Sequence, residues 1–197
     1  MKSPIFSLAP AGHYLALRVG FAYPMEERNE FPAAWIADYT KRGLMLLDPV
    51  MRWIYQNRGV VRWSEIDLDD PAGVLTSART HGLVYGAAVG VADNDARGQR
   101  SFGSFARSDR EFTDDELAQL LREVQALHDS KRPPDNLTKA ELEALKMVKD
   151  GLLMKEIAGQ LGVSEGAVQQ RLKNAKMKLN ANTSSQAVSM ATGYGLI

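Results

Sequence analysis

MKEIAGQLGVSEGAVQQRLKNAKMKL, residues 154–179, decides how the C-terminal part of this chain folds. Met154 to Leu161 has the spacing of a short helix carrying Ile157 and Ala158, and Gly162-Val163-Ser164 then turns the chain. Ser164 offers an N-cap oxygen to a second helix, whose Ala167, Val168, Leu172, Ala175 and Leu179 keep one apolar face inward. Val163 reads as a buried plug, and small residues at the crossing let the two helices approach closely. The pattern is that of a helix-turn-helix. Gln169, Gln170, Arg171, Lys173, Asn174 and Lys176 face away from that core, and these are amide and cationic side chains able to reach base edges and phosphates. No acidic residue occurs from Gly166 to Leu179. A solvated basic face on an ordinary helical hairpin has the same composition, so this segment alone leaves both readings open.

Working outward, Thr138-x-x-Glu141 is a capping box ahead of Leu142, Leu145 and Val148, and Gly151 ends that helix. A further helix is expected from Ser184 to Thr192, which completes an all-α four-helix domain over residues 137–197. The seam upstream is the run from His128 to Asn136, where Pro133 and Pro134 cannot continue a helix. It divides the chain into a domain of residues 1–129, a linker of 130–136 and the helical domain. Formal net charge is zero for the 197 residues, but it is segregated: residues 131–197 hold ten Lys and Arg against six Asp and Glu, and residues 1–130 hold fourteen against eighteen. An excess this small is weak evidence for a polyanionic partner.

The N-terminal half mixes element types. His13 to Val19, Leu83 to Val91 and Ser101 to Ala106 read as strands, the last two joined by a hairpin loop from Asp93 to Gly98. Pro32 to Leu46 and Asp70 to His81 carry helical spacing, and Thr113 to Glu116 opens a helix that runs to about Leu127. The expectation is an α+β chain whose first domain is an α/β/α sandwich around an antiparallel sheet. The absence of cysteine excludes disulfides, thiolate nucleophiles and cysteine-bound zinc. No apolar run approaches the roughly 20 residues that cross a bilayer, and residues 1–17 lack the basic and apolar regions of a signal peptide. A soluble, cytoplasmic protein is expected, with no membrane partner and no cofactor.

LTKAELEALKMVKDGLLMKEIAGQLGVSEGAVQQRLKNAKMKLNANTSSQAV, residues 137–188, resembles the C-terminal DNA-binding domain of LuxR-type regulators, with Glu141, Leu145 and Gly151 at the family's typical positions. A phosphoaccepting receiver can precede a similar domain, but Asp69-Asp70 lie ahead of Pro71 in what reads as a loop, not at a strand end. Trp35-x-x-x-Tyr39, Asp48-Pro49, Trp63 and Gly86 instead match the signature of the acyl-homoserine-lactone-binding domain of LuxR-type proteins, over about His13 to Leu127. Taken singly these residues suit other roles: an aromatic pair four apart packs a core, an Asp before Pro makes a turn, and a Trp anchors a core. Their joint spacing favours the resemblance.

That resemblance implies a quorum-sensing transcriptional regulator. Trp35 would donate its indole N–H to a lactone carbonyl, Asp48 would accept from the ligand amide N–H, and Tyr39, with Ser104, would donate to the acyl carbonyl. Trp63 would wall the lactone ring, and Phe31 stands where a pocket tyrosine is common. Each ligand polar group left unpaired would cost ~1–3 kcal/mol, and each buried tail methylene would add roughly 0.8 kcal/mol. Gln169 and Lys173, one turn apart, would contact bases in a palindromic promoter site, and Arg171 and Lys176 the backbone. The helix around Gln186 to Ala191 would make a homodimer. Trp35 comes about two dozen residues earlier than is usual in the family, so the helical segment before the first strand is expected to be largely missing. Two other functions compete. One is a family member that heterodimerises with a longer regulator and blocks it, and the other is a lactone hydrolase using His13, His81 or His128, for which no nucleophile elbow is present.

Overall fold

The computed structural model describes residues 5–19, 24–94 and 99–197. The chain divides into two compact units, one carrying the first strand and Glu26–Lys131, the other Arg132–Ile197 together with Pro24 and Met25 at the start of the second strand.

In the first unit α1 (Ile5–Leu8) leads into β1 (Gly12–Val19), β2 (Pro24–Asn29), α2 (Ala33–Lys41), α3 (Pro49–Gln56), β3 (Gly59–Arg62), α4 (Val74–Thr80), β4 (Tyr85–Ala92), β5 (Arg100–Arg107) and α5 (Asp114–Ser130). The sheet runs β2-β1-β5-β4-β3, with β5 antiparallel to both β1 and β4, and β3 antiparallel to β4. Because strand side chains alternate, Leu15, Leu17, Ala87, Val89 and Phe105 fall on one face, where Leu117, Leu120 and Val124 of α5 cover them. Ala16, Ala88, Phe102 and Ala106 fall on the other, packed with Trp35, Val50, Ile54, Trp63 and Ala78. These are the three layers of the expected α/β/α sandwich.

Several boundaries differ from the sequence reading. The helix expected from Pro32 to Leu46 stops at Lys41, because Gly43 takes a left-handed φ of 61° and Leu44–Leu46 form a separate 3₁₀ turn. The helix expected from Asp70 begins only at Val74. The Asp70 carboxylate accepts from the backbone N–H groups of Val74 at 2.8 Å and Leu75 at 3.0 Å, so Asp70 caps the turn and does not join it. α5 continues past Leu127 to Ser130. β2, β3 and α3 were not foreseen. The hairpin expected between β4 and β5 is present as the strand pairing, but residues 95–98 of its loop lie outside the described residues.

A buried polar knot ties the sheet to the end of α5. Arg18, fully buried and at a positive φ of 53°, donates from Nε to the His128 carbonyl at 2.8 Å and pairs with Asp93. The Ser101 hydroxyl accepts from the Arg18 backbone N–H at 2.8 Å and lies 2.7 Å from His128 Nδ1, while His128 Nε2 lies 3.1 Å from Asp93 Oδ1. Burial, and then the Arg18 charge, hold the His128 imidazole below its ordinary pKa against the pull of Asp93.

The second unit consists of α6 (Lys139–Lys149), α7 (Met154–Leu161), α8 (Glu165–Leu179) and α9 (Ser184–Gly193) around Leu145, Ile157, Val168, Leu172, Ala175 and Ala187. The Thr138–Glu141 capping box forms as expected. Gly162 is held by backbone conformation and not by crowding. A Cβ there would meet nothing within 4 Å, so close helix approach does not require glycine, whereas its φ of 63° does. Among the described residues no helix is long and apolar enough to cross a membrane.

Candidate functional site

A cavity of about 200 Å³ opens between the sheet and the helices α2, α3 and α4, and its lining brings together Phe31, Trp35, Tyr39, Asp48, Trp63 and Ser104. Each arrives by a local cause. Trp35 and Tyr39 sit one turn apart on α2, with ring centroids 5.3 Å apart. Asp48 is the N-cap of α3, its Oδ1 accepting from Val50 N–H at 2.8 Å ahead of a proline at the first helical position. Ser104 points from β5 toward the cavity side of the sheet, in register with Ala88. Trp63 follows β3 and lies flat on Gly86, where a Cβ would fall 2.0 Å from the indole Cδ2. The position of Gly86 in the signature is therefore explained by the close approach of the Trp63 ring.

The enclosed end is formed by Trp35, Asp48, Trp63 and Ser104, all buried, and the rim by Glu27, Asn29, Thr40 and Met45, all exposed. The Tyr39 hydroxyl donates to Asp48 Oδ2 at 2.8 Å. That one proton is committed, so the expected bond from Tyr39 to a ligand carbonyl would require this contact to be exchanged. Trp63 Nε1 is buried with no hydrogen-bond partner, and neither the Trp35 indole N–H nor the Ser104 hydroxyl bonds another of the described residues. Burial raises the Asp48 carboxyl above its ordinary range, opposed by the Tyr39 hydroxyl and by the N–H groups of Val50 and Met51. Among the described residues no lysine, arginine or histidine lines the cavity. His81 packs its ring against Trp35, His13 stacks on Phe105, and His128 belongs to the buried knot.

In the helical unit Ser164 caps α8, its hydroxyl accepting from Ala167 N–H at 3.2 Å. Gln169, Gln170 and Lys173 are exposed, while Arg171, Asn174 and Lys176 are half-buried. The Gln170 amide already donates to Asn174 Oδ1 at 2.8 Å, which leaves Gln169 and Lys173 as an unencumbered pair one turn apart. Lys178 is not available to a ligand on this face. Its Nζ is 2.8 Å from Glu141 Oε2, on a carboxylate that also closes the α6 capping box.

Comparison with known proteins matches residues 25–130 to the autoinducer binding domain and residues 135–191 to the bacterial regulatory proteins of the luxR family. The chain belongs to the LuxR family of transcriptional regulators. Similar relatives include the regulatory protein SdiA of Escherichia coli, 29% identical over 180 residues that cover 86% of this chain and 75% of that one. The transcriptional activator SolR of Ralstonia solanacearum is 30% identical over 185 residues, covering 86% and 77%. A crystal structure of Escherichia coli SdiA superposes with a TM-score of 0.50 at 26% identity, covering 94% of this chain and 83% of that one.

This LuxR-family chain is thus a quorum-sensing regulator with an autoinducer-binding domain and a DNA-binding domain, in a family of regulators, not enzymes. The cavity lies in the first domain and α8 in the second. The sequence reading missed Tyr14, Glu27 and Asn29 at the cavity. Tyr14 donates to Glu27 Oε1 at 2.9 Å across β1 and β2, and the polar run PMEERN of β2 gave no alternation by which to see that strand. Asp48-Pro49 did carry a readable helix start, an N-cap followed by proline.

Proposed function

We propose that this regulator binds an acyl-homoserine lactone, or a small signal of the same polarity, in the N-terminal cavity and binds a palindromic promoter site as a homodimer. The observation that carries the reading is that Trp35, Trp63 and Ser104, donors with no hydrogen-bond partner among the described residues, line the cavity together with the Asp48 carboxylate amid mostly apolar side chains. An acyl-homoserine lactone presents the complement: two carbonyl oxygens, one amide N–H and a hydrocarbon tail. Among the described residues the lining carries carboxylates and no cation, which disfavours an anionic ligand such as the hydrolysed, ring-opened acid. Trp63 walls the ring end and Phe31 adds apolar surface.

On the DNA side, Gln169 and Lys173 read bases, Arg171 and Lys176 hold phosphates, Ser164 fixes the start of α8, and the Gln170–Asn174 amide pair stiffens its exposed face. α9 supplies the dimer contact. The test is a thermal-shift and native mass-spectrometric screen of the purified chain against lactones of graded tail length, with the ring-opened acids as controls. Binding of closed lactones alone is expected. Binding of neither, or of the acids equally, refutes the ligand assignment. A protein that binds lactone but not DNA would point instead to a role through a heterodimer with a related regulator.

A further inference from the structure

We infer that the acyl tail of the bound signal leaves the cavity across an apolar lip made by Met45, Leu46 and Leu47, and does not end inside the cavity. The inference rests on the lactone reading above and adds the path of the tail.

The polar groups that would hold the head, from Trp35, Asp48 and Ser104, are buried at the enclosed end, so the rest of the ligand must point toward the rim. The space between is small. A cavity of about 200 Å³ is not far above the ~150 Å³ that takes a single benzene, which leaves room for a head group and a short chain. The rim has two unlike sides. Glu27 and Asn29 border it from β2, and a hydrocarbon chain crossing there would strip water from polar groups without replacing it. Met45 borders it from the 3₁₀ turn and is followed in the chain by Leu46 and Leu47, which do not themselves line the cavity.

These three side chains are 47%, 84% and 46% exposed, whereas Leu44 beside them is 2% exposed and packs in the core. Three consecutive large apolar side chains facing water, the first of them on the cavity rim, form a surface suited to covering an apolar chain. The turn that displays them is fixed in advance. Gly43 sets its left-handed start, and Arg42 just before it donates to Asp38 and Ser77, both at 3.0 Å. A preset turn binds without the cost of ordering a loop.

The experiment measures affinity of the full chain for N-butanoyl-, N-octanoyl- and N-dodecanoyl-homoserine lactone, in the wild type and in the double variant Leu46→Ser, Leu47→Ser. Both positions are exposed, so the variant is expected to fold, and circular dichroism checks this. Each methylene covered by the lip is worth about fourfold in affinity. The expected result is that wild-type affinity keeps rising through dodecanoyl, while the variant loses tenfold or more for dodecanoyl and stays within twofold for butanoyl. Equal losses for the two tails, or none, would overturn the lip while leaving the pocket reading intact. So would a change in sedimentation coefficient without a change in tail affinity, which would mean that a second copy of the chain covers the lip. Failure of all three lactones to bind the wild type would overturn the pocket reading and the lip together.

Discussion

Tyr39 and Asp48 are joined through a single proton: the Tyr39 hydroxyl donates to Asp48 Oδ2 at 2.8 Å, while Oδ1 of the same carboxylate is held by the first turn of α3. The tyrosine stabilises the charged form of a carboxylate that burial otherwise pushes toward neutrality. In the proposed complex Asp48 must be charged to accept from the ligand amide, so acid weakens binding as that carboxyl protonates. Tyr39→Phe removes a bond worth about 1–2 kcal/mol of stability and raises the Asp48 pKa further. Lactone affinity measured against pH should therefore begin to fall at a higher pH in the variant than in the wild type. Superimposable profiles would show that Asp48 does not accept from the ligand.

Gly86→Ala tests the placement of Trp63. The added Cβ would sit 2.0 Å from Cδ2 and 2.1 Å from Cε2 of the indole, so the ring must leave its place over β4 and move into the cavity. A loss of about 1–3 kcal/mol in urea unfolding is expected, with weaker lactone binding and an altered near-ultraviolet tryptophan signal. An unchanged signal and unchanged affinity would show that the ring is not fixed by this contact.

The residues legible in the sequence are those whose role rests on type and spacing. Phe31, Trp35, Tyr39, Asp48, Trp63 and Ser104 all reach the cavity, although four separate stretches of chain deliver them. The sandwich was legible because β1, β4 and β5 are apolar and short. What failed to show was set by tertiary context. β2 is a polar edge strand whose Glu27 gains meaning only from Tyr14 across the sheet. Asp70 looks like the first residue of a helix and is its cap. Arg18 carries no local signal at all, since a buried arginine is tolerated only because Asp93 and the His128 carbonyl meet it from distant parts of the chain.

The Arg18 knot gives a pH dependence of definite sign. His128 is held below its ordinary pKa near 6.5, and so is His13, by burial in the first place. Between the lowered folded values and 6.5 the unfolded chain binds more protons than the folded one, so stability is complete above about 6.5 and falls as pH drops through that window. Each histidine contributes a slope of at most about 1.4 kcal/mol per pH unit. His128→Gln should reduce the slope of unfolding free energy between pH 7.5 and 5.5 by one histidine's share, leaving that of His13. A slope identical to wild type would remove His128 from the account.

Glu141 is buried, yet its pKa lies below the ordinary value. Burial pushes the carboxyl up, but Lys178 and the Thr138 N–H outweigh it. The pair joins the start of α6 to the end of α8, so it fixes α8, the helix proposed to read DNA, through a contact inside the helical unit. Glu141→Ala should cost about 1–3 kcal/mol, since it strips a cap and leaves the ammonium, itself partly exposed, without its partner. Thermal unfolding of the variant checks the loss. The salt dependence of DNA binding should stay as in the wild type, and a changed slope would mean that this region meets phosphate.

The exposed face of α8 divides into groups that predict different failures. Gln169 and Lys173 are exposed and without side-chain partners, so Gln169→Ala should cost about 1–3 kcal/mol on the cognate site and little on a site altered at the base it reads. Lys176→Ala should weaken binding to every sequence alike and lower the log–log salt slope by about 0.9, the share of one neutralised phosphate. Lys178→Ala should leave that slope unchanged while lowering stability, because its charge is spent on Glu141. Binding isotherms for the three variants on cognate and mismatched duplexes at several salt concentrations separate these outcomes. If Gln169→Ala and Lys176→Ala behave alike on both duplexes, α8 does not lie in the groove with its Gln169 edge toward the bases, and the assignment of base-reading and phosphate-holding residues fails.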